Sequence, residues 1–208
     1  MFSLTENLEE TIFINSEEYE VDLSFNTVLS FYELLEDQEL ESYEKIILAF
    51  RLFLPQEDPQ TFTFEQQYEA IEGIREYIQA TPYGNSEEDT EEEEENADKP
   101  SKSFSYSQDA GAIYASFMMD YGIDLLKEKG RMHFLTFKAL LEGLSDKTYF
   151  QRIISLRNEP LTGKEGDSLT KLVDAKDYFA LDDNQTVDQL DDQMGSVFDM
   201  LKNKAQNE

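Results

Sequence analysis

A mainly α-helical chain opened by a small β-hairpin is the fold that three features of these 208 residues predict. Apolar side chains recur at the three-and-four spacing of one helical face along most of the chain. One short stretch near the start alternates instead. Charge comes in blocks, which divides the chain into a hairpin-plus-helices module over 1–82, an acidic disordered linker over 83–103, a short-helix module over 104–160, and an acidic tail over 161–208 with an amphipathic helix at about 186–203.

The hairpin is read from Thr11 to Asp22, where apolar and aromatic residues flank Asn15-Ser16 and then alternate at Tyr19, Val21 and Leu23. An isolated hairpin is marginal in water, so it must lie on the helices next in the chain. Ser24 or Asn26 is placed to cap a helix through about Leu35, with Val28, Leu29, Tyr32 and Leu35 on one side. A second helix from about Ser42 to Leu54 aligns Tyr43, Ile46, Ile47, Phe50 and Leu54, and Pro55 stops it. Thr63-Phe64-Glu65-Gln66 has the Thr-x-x-Gln form of a capping box, in which each end satisfies a free amide at the helix start. It opens a third helix with Phe64, Tyr68, Ile71, Ile74 and Ile78 in register, ending near Pro82.

The stretch "NSEEDTEEEEENADKPSKS" packs like charges too densely for a core, and self-repulsion makes it a solvated linker. A calcium loop would need spaced ligands and a turning glycine, which the run lacks. Past the linker, Ser107 is placed to cap a helix carrying Ile113, Phe117 and Tyr121, with Gly122 ending or bending it. "MHFLTFKALLEGL" comes next, with Phe134, Phe137, Leu140 and Leu141 as a second stripe ended by Gly143. A third helix carries Phe150, Ile153, Ile154 and Arg157 to a stop at Asn158-Glu159-Pro160. The tail begins with a Gly-rich loop and is weakly patterned until Thr186-x-x-Gln189, where Val187, Leu190, Met194, Val197 and Leu201 form a narrow apolar seam. Such a seam docks either on its own domain or on a partner.

The 17 Lys and Arg against 46 Asp and Glu give a formal charge of −29. Residues 1–86 hold 19 acids and 3 bases, 87–98 hold 9 acids and no base, and 104–160 hold 7 of each. Phosphate binding needs a basic surface that releases counterions, so nucleic acid is not an expected partner, nor is an anionic membrane. With no cysteine there is no disulfide, thiol nucleophile or thiolate zinc site. The first residues lack a basic and apolar signal pattern, and no long apolar run is present, so the expected location is a cytoplasm.

Catalysis is not expected either. His133 is the only histidine, in an aromatic setting where a hydrogen-bonded structural role is the common one. Among 46 acids, any carboxylate pair arises by chance. Glu-x-x-His is absent, and Gly163 to Gly166 lacks phosphate-loop spacing, so no metal or cofactor is expected.

Three blocks in order, "FSYSQDAGAIYASFMMDYGIDL", "HFLTFKALLEGLSDKT" and "IISLR", resemble the siphophage family of small proteins encoded between the major tail protein and the tape-measure protein, the gene-product-fifteen-like family. That family's pattern runs D-A-x-x-I-Y-A-S-F, Y-G-I-D-L, His-Trp-Trp-x-F, a Gly-Leu turn and I-I-x-x-R. The likeness is strong from Phe104 to Arg157. Phe134 and Leu135 stand where the family usually has two tryptophans. The resemblance implies a helical, non-enzymatic tail-assembly chaperone that keeps the tape-measure protein soluble. It also implies self-association, the tail tube protein as a further partner, and absence from the mature virion.

Tyr114, Phe117, Met118, Met119, Tyr121, His133, Phe134 and Phe137 are then the candidate contact residues. The helical spacing makes Phe117 and Tyr121 core candidates as well, whereas Met118 and Met119 lie off that stripe and are the better surface candidates. Two other classes fit the charge: an acidic mimic of DNA that inhibits a host DNA-binding protein, and a minor structural tail protein. A mimic would need evenly spaced carboxylates along a rigid face, and here the densest run is the linker.

Overall fold

The computed structural model describes residues 4–80 and 104–182, together with Val187. The linker and nearly all of the amphipathic tail segment lie outside the described residues. Strands β1 (Thr11–Ile14) and β2 (Glu17–Glu20) pair antiparallel, with Ile14 opposite Glu17 and Thr11 opposite Glu20. Asn15 and Ser16 join them at φ of 53° and 68°. Two successive left-handed residues are what a two-residue hairpin needs to match the twist of its strands. One face of the hairpin packs inward through Ile14, and Tyr19 meets Phe62 edge-on at 5.4 Å. Phe13, on the other face, stays 70% exposed.

Helix α1 (Phe25–Glu36) begins where Asp22 accepts hydrogen bonds from the Ser24 amide and the Thr27 hydroxyl. It buries Phe25 and Phe31 beside the expected Val28, Tyr32 and Leu35, so its apolar stripe is wider than periodicity predicts. Helix α2 (Ser42–Phe53) opens with a Glu41/Glu44 capping box and packs Ile46, Ala49, Phe50 and Phe53. Tyr43, expected inside, is half exposed at the first turn. A 3-10 turn at Pro59–Thr61 leads to α3 (Phe64–Gln79), where the Thr63/Gln66 box forms as predicted. Phe64, also expected inside, is 39% exposed.

The second region holds α4 (Ala110–Tyr121), α5 (Phe134–Glu142), α6 (Tyr149–Asn158) and α7 (Asp167–Tyr178). Ser107 does not cap α4: the helix starts after Asp109, and the Ser107 hydroxyl donates instead to the Glu36 carboxylate of α1. Gly122 ends α4 in the left-handed conformation, at φ 66°, as expected of a helix-terminating glycine. Helix α7 is not anticipated by the sequence pattern, since it buries only Leu172. Of the amphipathic tail segment, Val187 alone is described; it is buried, and its amide donates to the Phe104 carbonyl.

The two regions share one hydrophobic core. Phe25 of α1 stacks on Phe137 of α5 at 5.1 Å, and Phe137 stacks on Phe117 of α4 at 5.3 Å. Beside them the Phe25 amide donates to the Met132 carbonyl and the Phe134 amide to the Leu23 carbonyl, a short bridge that seats α1 against α5. Each fully buried aromatic contributes about 1.5–3 kcal/mol relative to leaving it in water. The steep change of charge along the chain is therefore not a boundary in packing.

Candidate functional site

The recognised blocks meet one another in space. At the start of α4 Asp109 is buried, and its two oxygens accept from the guanidinium of Arg157, near the end of α6, at 2.7 and 2.8 Å. Asp109 also accepts from the Ser105 amide, while Arg157 donates its remaining nitrogen, Nε, to the Phe179 carbonyl. A planar fork facing a carboxylate holds both partners in one orientation, and the extra bonds satisfy what solvent no longer reaches. The first acid of the family pattern and its last base thus form one internal clamp.

Ser116, completely buried in α4, donates to Ala112 O and accepts from the Phe150 amide at 3.0 Å, so it ties α4 to the first turn of α6. Tyr114 donates to Asp124 at 3.2 Å, which joins the tyrosine of the first block to the aspartate of Tyr-Gly-Ile-Asp-Leu. Lys127 lies 3.0 Å from the same carboxylate and lowers its pKa, whereas burial and that carboxylate together raise the Tyr114 phenol. Tyr121 donates to the Leu140 carbonyl, and its hydroxyl would lie 3.0 Å from a Cβ placed on Gly143. A side chain at Gly143 would crowd that hydroxyl and also the Ala139 carbonyl, 3.2 Å away.

His133 occupies the N-cap of α5. Its Nδ1 accepts from the Leu135 amide at 3.0 Å, which leaves Nε2 to carry the proton and donate to the Glu9 carbonyl at 3.1 Å. Burial lowers its pKa, opposed by the Glu9 carbonyl and the Glu10 charge. Both ring nitrogens are spent on the fold.

The contact candidates divide by depth. Phe117, Phe134 and Phe137 lie in the stacked interior with almost no exposure and supply no contact surface in this fold. They are aromatic residues on inward stripes, and burial wins over exposure for such area. Tyr114, Tyr121 and His133 are half-buried, with their polar atoms paired internally. Met118 and Met119 are 42% and 60% exposed at the end of α4. Leu126, in the loop after it, is 64% exposed and was not singled out by the sequence; beside the buried Leu125 in a loop it lies on no helical stripe and gives no periodic signal. Among the described residues no three of His, Asp and Glu come together to hold a metal ion, and no helix is long and apolar enough to cross a membrane.

A mainly helical protein, clamped by polar pairs among its recognised blocks and showing adaptable apolar residues at one helix end, is the class that this geometry defines. The chain belongs to a bacteriophage family: the family described as Bacteriophage Gp15 protein matches residues 4–181. The match takes in the hairpin and α1 to α3 as well as the blocks that carry the resemblance. No curated protein and no solved structure matches the chain.

Proposed function

We infer that this phage protein is a non-enzymatic tail-assembly chaperone, which binds apolar segments of the tape-measure protein in the host cytoplasm and holds them in solution until the tail tube encloses them. The observation that carries the reading is the exposed trio Met118, Met119 and Leu126, within residues 118–126 of the recognised module. Methionine is unbranched and polarisable, so it fits the varied apolar surfaces of a long helical client. A formal charge of −29 keeps such a complex soluble and repels DNA during assembly. The family's bacteriophage origin supports the setting.

The test is co-expression with the tape-measure protein of the same phage, scoring how much of that partner stays soluble and whether the two co-elute. Wild type retains it, and Met118→Glu combined with Met119→Glu releases it to the pellet while the variant keeps its own melting transition. A partner that stays insoluble while this chain elutes alone overturns the reading.

A further inference from the structure

A second apolar surface lies away from α4. Between β1 and α3 runs a groove of about 350 Å³, floored by Ala70, Gly73 and Ile74 and walled by Phe13 and Tyr77. Two of its features lack a reason among the described residues. Phe13 exposes 70% of a large apolar side chain at the rim. Gly73 sits in the middle of α3, where glycine costs helix stability. A Cβ added there would meet nothing within 4 Å, so internal packing does not require the glycine. What the missing side chain leaves is open floor.

Charge says what fits that floor. Glu9 and Glu69 line the groove, and its lining includes no Lys or Arg. Glu18 and Glu20 stand opposite Phe13 and Thr11 across the hairpin. An acidic partner would be repelled there, and a basic one attracted.

We propose that the groove between β1 and α3 is a docking site for a peptide segment of a partner protein, one that places an aliphatic side chain over Gly73 between Phe13 and Tyr77 and sets Lys or Arg beside Glu9 and Glu69. Naming the tape-measure protein as the source of that segment rests on the chaperone reading; the chemistry of the groove does not.

The probe is a fluorescent amphipathic peptide of Leu and Lys, titrated against the full chain by anisotropy beside its Leu and Glu counterpart. A basic peptide is attracted anywhere on so acidic a protein, so the deciding variant leaves charge unchanged. Gly73→Leu fills the floor and lowers affinity by ~10-fold or more, the equivalent of about 1.4 kcal/mol. Phe13→Ala, at an exposed position, lowers it in the same direction. Glu9→Gln with Glu69→Gln weakens binding at low salt and less at high salt, where the attraction is already screened. Unchanged affinity in Gly73→Leu and Phe13→Ala, or equal binding of the Leu and Glu peptide, overturns the site. The two proposals separate when these variants enter the co-expression assay. Gly73-sensitive peptide binding with an insoluble tape-measure protein overturns the chaperone reading alone. A soluble partner with Gly73-insensitive peptide binding overturns the groove alone.

Discussion

In residues 4–80 the polar groups that start the helices find partners close by. Glu41 pairs with Glu44, Thr63 with Gln66, and Asp22 with Thr27 five positions on. In residues 104–182 His133 and Thr148 also cap their helices locally, but the polar groups along α4 reach across the fold. Asp109 takes Arg157 from 48 positions away, Ser116 takes the Phe150 amide from 34, and Tyr121 takes the Leu140 carbonyl from 19. A local cap holds its own helix whatever the rest of the chain does. A distant pair exists only in the assembled fold, and each member is costly to change alone. The blocks that carry the family resemblance thus read as an ordered set because they are halves of the same contacts, while the groove at Gly73 lies in the first region and outside those blocks.

The sharpest way to break the contrast is Arg157→Met. It leaves the Asp109 carboxylate buried without its cation, which costs about 3–5 kcal/mol. Urea unfolding would show a lower midpoint by that measure. A loss below about 1 kcal/mol would mean the clamp is no stronger than a surface pair. The counterpart in the first region is Thr63→Ala, which removes one cap acceptor and costs about 1 kcal/mol. A loss equal to that of Arg157→Met would erase the distinction between local and distant pairing.

The smallest expected effect lies where the regions meet, at His133. Its pKa is lowered in the fold, so as pH falls the unfolded chain takes up the proton first. The stability it contributes is present above the ordinary histidine value of about 6.5 and is lost as pH drops through that value toward the folded one. His133→Asn keeps a cap acceptor and does not titrate. Its urea midpoint relative to wild type should therefore rise between about pH 7.5 and about pH 5.5. A relative fall over that window would mean that the protonated ring is the form the fold prefers.

Much of the fold was legible because its signals are local. The positive-φ turn at Asn15-Ser16, the Thr63/Gln66 box and the helix end at Gly122 each depend on a few adjacent residues. The Glu41/Glu44 box was not read, since glutamate is not among the favoured N-cap residues. Helix α7 went unread because one buried leucine makes no stripe. Tyr43 and Phe64 were expected inside and are partly exposed, both in the first turn of their helices. Of the contact candidates, Met118 and Met119 were legible as surface from lying off their stripe. Phe134 and Phe137 were not legible as interior, because a stripe says that something covers it without saying whether that is a partner or the protein's own α1.

By itself the sequence determined the helical class, the single hairpin, the blockwise charge and the order of the recognised blocks, all of which come from short-range spacing and composition. Only the tertiary structure decided that the acidic and neutral regions share a core, that Asp109 belongs to Arg157, that His133 reaches the Glu9 carbonyl, and that Gly73 opens onto an acidic groove. Each of these joins residues far apart in the chain. Their energy depends on geometry that exists once the helices have packed, and no periodicity along the sequence encodes it.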